Sequence, residues 1–225
     1  MIRIPLFICL AFSIFQQAFS QGMQKTNYTY LALGDSYTIG HSLPIAENFP
    51  NQTVQLLSTA GYDIDSPTVV AKTGWTCEEL QWGMKNRSLQ NRYDIVSLLI
   101  GVNDQYRGGK IEDYGIQFEE LVKQAVELAN KNPAHVFVLS IPDWGATPFA
   151  EGQDCKLIAK ELDSFNHINK ALAKKMNVNY IDITPGSREV SQDHTLVAAD
   201  GLHPSAKEYK RWAEKLAASI RQQFQ

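Results

Sequence analysis

The sequence is poor in groups that staple a chain or hold a metal. It carries 3 cysteines in 225 residues, Cys9, Cys77 and Cys155, and none has a partner at zinc-site spacing. No His-Glu-x-x-His helix is present and the 5 histidines are scattered, so no metal site is indicated. Charge of one sign is also missing. With 21 basic and 24 acidic residues the formal charge is −3, and no basic field is available to recruit nucleic acid or an anionic membrane surface. After the first twenty residues, no apolar run approaches the roughly 20 residues of a membrane helix. Internal repeats and low-complexity linkers are likewise lacking.

What is present begins with the N-terminus. One basic residue, Arg3, precedes an apolar stretch over residues 4–15 and a small-residue finish at Ala18-Phe19-Ser20. This is the layout of a secretory signal peptide, with cleavage expected after Ser20 and a secreted or periplasmic destination. Cys9 lies inside the apolar stretch with no small residues before it, which argues against a lipid-attachment site. Removing 20 residues leaves 205, with 20 basic and 24 acidic side chains and a charge of −4. That length suits one domain over residues 21–225, with a monomer as the default and no stable membrane insertion after cleavage. Cys77 and Cys155 then remain, and a single disulfide and two free thiols both stay open. Asn27, Asn51 and Asn86 head glycosylation sequons that matter only in a glycosylating host.

Short apolar runs at 28–33, 68–71, 95–100, 136–140 and 180–183 read as buried strands, rich in Val, Ile, Leu and Tyr. Helical spacing separates them. Phe118, Leu121, Val122, Ala125, Leu128 and Ala129 form one stripe. Ile158, Leu162, Phe165, Ile168 and Leu172 form a second, and Tyr209, Trp212, Ala213, Leu216 and Ile220 a third. Strand and helix alternating along the chain predict parallel strands joined by right-handed crossovers. The expected fold is α/β, a three-layer doubly wound sandwich of about five strands, with functional groups beyond the carboxyl ends of those strands.

The loops at those ends carry chemistry. The first strand runs into Leu33-Gly34-Asp35-Ser36-Tyr37-Thr38, the second into Lys72-Thr73-Gly74-Trp75, and the third into Gly101-Val102-Asn103-Asp104. Near the end stands Asp200-Gly201-Leu202-His203-Pro204, where Pro204 suits the first turn of the last helix. Ester hydrolysis needs an activated nucleophile, a base held in one tautomer and donors aimed at the developing oxyanion. Ser36, directly after a strand and two residues beyond a glycine that permits a sharp turn, is the candidate nucleophile. His203 is the candidate base, and Asp200 is close enough along the chain to orient it. The candidate oxyanion donors are the backbone N–H groups of Ser36 and Gly74 and the side-chain amide of Asn103.

With these residues in hand, the chain resembles the GDSL or SGNH hydrolases of lipase and esterase type, over essentially the whole mature length. Ser36, Gly74, Asn103 and His203 align in order with the four blocks for which that family is named, and Asp200 lies three residues before the histidine. The resemblance implies a flavodoxin-like fold and a Ser-His-Asp mechanism without metal or cofactor, acting on a small-molecule ester. One departure stands out. Tyr37 occupies the position of the leucine in the family name and bears on substrate preference more than on chemistry. The Gly-x-Ser-x-Gly signature of other serine hydrolases is absent, because residue 38 is threonine.

Each block taken alone has a plain structural explanation. Gly-Asp-Ser after a strand is ordinary turn and cap chemistry, Gly74 can serve a turn, Asn103 can cap, and His203 can lead into a helix. Their conjunction, in order and on one rim, favours catalysis. His194 is the rival base but lacks the Asp-x-x-His spacing and reads as a solvated loop residue. Asp35 and Asp104 are expected to bond backbone or shape the site. Trp75 and Trp144 are candidate substrate contacts, with Tyr106 nearby, and core packing at the rim is the equal alternative. Three functions stay open: an esterase on lipid-like or small acyl esters, a carbohydrate O-acetylesterase with the same triad, and an idle binding domain.

Overall fold

The computed structural model describes residues 27–224. The segment read as a signal peptide, residues 1–20, lies outside the described residues. From the N-terminus the elements are β1 (Tyr30–Gly34), α1 (Ser36–Ile39), α2 (Phe49–Thr59), β2 (Thr68–Ala71), α3 (Cys77–Lys85), β3 (Ile95–Leu99), α4 (Val102–Tyr106), α5 (Ile111–Leu128), β4 (Val136–Leu139), α6 (Cys155–Lys175), β5 (Asn179–Ile181), α7 (Thr184–Ser187) and α8 (Ala206–Gln223).

The five strands form one parallel sheet in the order β2-β1-β3-β4-β5. This is the doubly wound arrangement of flavodoxin-like folds. Right-handed crossovers in the two winding directions put α2 on one face and α3, α5 and α6 on the other. Consistent with that, α2 packs on α8, while α3 packs on α5 and α5 on α6. Every residue of β1, β3 and β4 is buried, whereas the edge strands β2 and β5 are only partly covered. Helices on both faces explain why the central strands read as unbroken apolar runs rather than alternating ones.

The inward faces of the long helices follow the predicted stripes. Phe118, Leu121, Val122 and Ala125 of α5 are buried, as are Leu162 and Phe165 of α6 and Tyr209, Trp212, Ala213, Leu216 and Ile220 of α8. Several boundaries shift from the sequence reading, three of them for a clear local reason. Strand β1 starts at Tyr30, because Asp94 takes both the N–H and the hydroxyl of Thr29 and Tyr28 makes only an isolated bridge to Ile64. Strand β5 stops at Ile181, because the Ser140 hydroxyl captures the next free N–H groups, those of Ile183 and Thr184. Pro204 lies outside α8 rather than in its first turn. Ser205 is the N-cap, its hydroxyl accepting from the Glu208 N–H, and Pro204 sits in a bridge to Val197.

The winding reverses between β1 and β3, so the crevice beyond their carboxyl ends is where such a sheet binds ligands. Gly34 ends β1 level with Leu99 at the end of β3. No helix among the described residues is long and apolar enough to cross a membrane.

Candidate active site

Ser36 opens α1 immediately beyond β1 and is 5 % exposed. Asp35 caps that short helix by accepting the Tyr37 N–H at 2.9 Å. The glycine before it has a different role from the turn expected of it. A Cβ on Gly34 would collide with the Leu99 carbonyl and the Thr38 hydroxyl, and its φ is not in the left-handed region, so this glycine permits close approach of two strand ends. The second carboxylate oxygen of Asp35 is buried without a hydrogen-bond partner among the described residues, and burial pushes the acid up to about 8.

At the other end of the chain, the Asp200 to His203 turn closes on itself. His203 Nδ1 lies 2.7 Å from Asp200 Oδ2, and Asp200 Oδ1 accepts the backbone N–H groups of Leu202 and His203. An ionised carboxylate only accepts, so Nδ1 carries the proton and the lone pair stands on Nε2. Gly201 makes the turn compact with φ +72°, a region few side chains tolerate. Partial burial raises the Asp200 acid, but hydrogen bonds from Ser42, Leu202 and His203 outweigh it and hold the carboxyl well below the usual range. Burial lowers His203 below its ordinary 6.5, against the upward pull of Asp200.

The second and third blocks are tied to each other. Asn103 Nδ2 donates to the Trp75 carbonyl at 3.0 Å, and both carboxylate oxygens of Asp104 accept the Cys77 N–H. Arg107 donates to the Gly74 carbonyl at 2.6 Å and pairs with Glu79 at 3.1 Å, fixing the peptide that follows Gly74. Gly74 takes φ +88°, which a side chain would strain.

Ser36, Asn103 and His203 open into one cavity of about 130 Å³, walled by Tyr37, Val102, Tyr106, Trp144, Phe149 and Leu202. Trp144 is held by its Nε1–H to Gln105 at 2.8 Å. Phe149 is held by its N–H to the Gly201 carbonyl at 3.0 Å. Tyr37 packs edge-on against the His203 ring at 5.6 Å. Trp75 is placed elsewhere: its ring covers Gly83 of α3 and does not line this cavity. Gly74 is also not among the lining residues, although its neighbour's carbonyl anchors Asn103. His194 is exposed in a short turn at His194–Leu196, outside the cavity. Cys77 is buried and Cys155 exposed, and both are free thiols.

Sequence reasoning missed His41, Ser42, Arg107 and Phe149. Ser42 donates to Asp200 Oδ2 at 2.5 Å, and the His41 ring lies 4.7 Å from that of His203. Their position just beyond the nucleophile helix is the only signal in the chain, and it is not a distinctive one.

The GDSL-like lipase/acylhydrolase family matches residues 32–211, a span that holds all five of Ser36, Gly74, Asn103, Asp200 and His203. The chain belongs to this family. As a GDSL-like acylhydrolase it is a hydrolase of ester bonds. Solved structures with the same fold include TesA (TM-score 0.69, 19 % identity, 87 % of this chain and 99 % of that one). A variant of Axe2, an acetyl xylan esterase from Geobacillus stearothermophilus, is as similar (0.69, 19 %, 88 % and 97 %). The psychrotrophic esterase EstA from Pseudoalteromonas sp., in a form inhibited by monoethylphosphonate, follows (0.63, 16 %, 87 % and 97 %). No curated protein matches the chain.

Proposed function

We propose that this acylhydrolase is a secreted or periplasmic monomeric serine esterase that cleaves short acyl esters through Ser36, His203 and Asp200. The observation that carries the reading is the 2.7 Å contact between His203 Nδ1 and Asp200, in a residue pair whose histidine shares a cavity with Ser36. The layout of residues 1–20 supports the location. The small cavity supports the short acyl group, being well under the roughly 300 Å³ at which pockets for drug-sized ligands begin.

In the proposed cycle His203 Nε2 takes the Ser36 proton as the serine oxygen bonds to the ester carbonyl carbon. The resulting oxyanion is held by the N–H groups of Ser36 and Gly74 and by Asn103. A side-chain amide has two N–H bonds; one of Asn103's is anchored on the Trp75 carbonyl, and the other serves the oxyanion. Collapse breaks the ester C–O bond, and the departing alkoxide leaves as the alcohol with the proton from His203. Water then gives a proton to His203 and its oxygen to the acyl carbon, and the serine recovers its proton as the acid leaves.

A second reading, a carbohydrate O-acetylesterase, rests on Tyr106 and Phe149. These residues are 56 % and 47 % exposed beside a cavity of acyl size, where a sugar ring can stack. Structures named as acetyl xylan esterases share the fold.

The test is hydrolysis of p-nitrophenyl acetate, butyrate and octanoate by residues 21–225, beside Ser36→Ala, with labelling by a fluorophosphonate probe. Turnover and labelling that vanish in Ser36→Ala, with acetate preferred, support the proposal. Equal activity in both proteins removes Ser36 as nucleophile. Faster acetate release from an acetylated glycan than from p-nitrophenyl acetate selects the second reading, and an unlabelled wild type that cleaves none of these esters leaves an idle domain.

A further inference from the structure

The rim that holds the proposed base also holds a second imidazole. His41, Asp200 and His203 each offer one ligand atom, and these atoms lie within 4.8 Å of one another. Residues 41 and 200 are exposed, so the cluster is open to solvent, while His203 is buried. We propose that these three side chains form a site for a late first-row divalent ion of the zinc class, and that occupancy reversibly switches the esterase off.

The donor set points to that class of ion. Two imidazoles and one carboxylate suit zinc, cobalt(II) or copper(II), whereas magnesium and calcium require oxygen ligands. Three protein ligands with a fourth position open to water is an ordinary zinc arrangement. Tetrahedral bonds of about 2.0–2.1 Å set ligand atoms roughly 3.3 Å apart, so the cluster needs to contract by no more than about 1.5 Å. Rotation of the exposed His41 side chain supplies movement of that size. His41 is also oriented as ligating histidines are. Its Nδ1 lies 3.0 Å from the Thr73 hydroxyl, and in the tautomer that donates to Thr73 the lone pair stands on Nε2. The His41 and His203 rings approach to 4.7 Å at an angle of 47°, so the two imidazoles lie within reach of one ion.

The effect on catalysis follows from the identity of the third ligand. If the ion takes Nε2 of His203, the general base is gone. If it takes Nδ1, the ion displaces the proton that joins His203 to Asp200, and the ring loses the orientation Ser36 needs. Both arrangements stop the cycle, and removal of the ion restores it. This consequence rests on the proposed triad; the binding itself does not.

The experiment separates the two. Cobalt(II) chloride is titrated into Ser36→Ala and into Ser36→Ala/His41→Ala, and the visible d–d absorption of tetrahedral cobalt is recorded. The single variant is expected to develop the bands and the double variant to lack them. In parallel, zinc chloride is added to wild type and His41→Ala during p-nitrophenyl acetate hydrolysis. The wild type is expected to lose activity and to recover it with EDTA, while His41→Ala hydrolyses the ester but resists zinc by more than about tenfold in concentration. Thr73→Val should weaken zinc inhibition by about tenfold, as loss of an outer hydrogen bond to a ligating histidine does. Identical cobalt spectra in the two backgrounds, or equal zinc sensitivity of wild type and His41→Ala, overturn the site. If the wild type cleaves no ester, the esterase reading fails, and the cobalt titration still decides the metal site.

Discussion

Ser42 donates its hydroxyl to the same oxygen of Asp200 that faces His203 Nδ1, at 2.5 Å, from 158 residues away in the chain. Ser42 adopts φ +70°, a conformation that serine seldom takes without compensation. The proposed acid is thus fixed from two sides: its own turn holds Oδ1, and the nucleophile loop holds Oδ2. Ser42→Ala is expected to lower kcat by about tenfold, the equivalent of one charge-assisted hydrogen bond of about 1.4 kcal/mol, with KM little changed. It should also raise the Asp200 acid and change the pH profile, whereas Ser42→Thr should restore both. Unchanged kcat and an unchanged pH profile in Ser42→Ala would show that the contact only ties the loops together.

The acid limb of the pH–rate profile should lie below the ordinary histidine value of 6.5, because burial lowers His203. The base is active when neutral, so activity is full above the folded-state value and falls as pH drops through it. The check is kcat/KM against pH from about 4 to 9 in the wild type. A midpoint above 6.5 would contradict a desolvated base.

Asp35 gives a stability prediction of opposite sign to most carboxylates. Its acid is raised from 3.8 to about 8, so between these values the folded state binds the proton that the unfolded state has released. Stability from this group therefore falls as pH rises from about 4 to about 8, where ionisation leaves an unpaired buried charge. Asp35→Asn keeps a side-chain oxygen to cap Tyr37 and cannot ionise. Its Tm relative to wild type should climb steadily between pH 5 and pH 8, and thermal melts in matched buffers that show a constant difference would refute the assignment.

Asn103→Ala should reduce kcat by about 10²-fold if its free amide hydrogen serves the oxyanion. Because the same side chain anchors the Trp75 carbonyl, circular dichroism and Tm must accompany the kinetics. A loss of Tm with kcat intact assigns Asn103 to the loop rather than to the reaction.

The two tryptophans should part company. Trp144 walls the cavity, so Trp144→Leu is expected to raise the octanoate-to-acetate rate ratio. Trp75 covers Gly83 of α3, so Trp75→Ala should lower Tm and leave that ratio alone. Matching ratios in the two variants would mean that the wall formed by Trp144 does not set acyl length.

Much of this protein is determined by the sequence alone, because the relevant physics is local or periodic. Strands buried on both faces must be apolar at every residue, which made β1, β3 and β4 legible, and helical stripes announced α5, α6 and α8. The Asp200 to His203 contact spans three residues and one left-handed glycine, so the spacing itself encodes it. The order of the strand-end blocks was enough to suggest one rim. Tertiary structure decided what depends on distant loops meeting. Pro204 fell outside α8 because Ser205 offered a better cap, and Gly34 proved to serve strand contact rather than a turn. Trp75 and Trp144 look alike in the chain, each in the loop after a strand and beside a glycine, Gly74 or Gly145, yet one packs on α3 and the other walls the cavity. Ser42, His41 and Phe149 reach the site only because the loops after β1 and β4, strands separated by β3, meet the turn before α8 on one rim. Such contacts carry no period and no motif, since a single hydrogen bond or ring contact across 52 to 162 residues is set by the packing of whole elements.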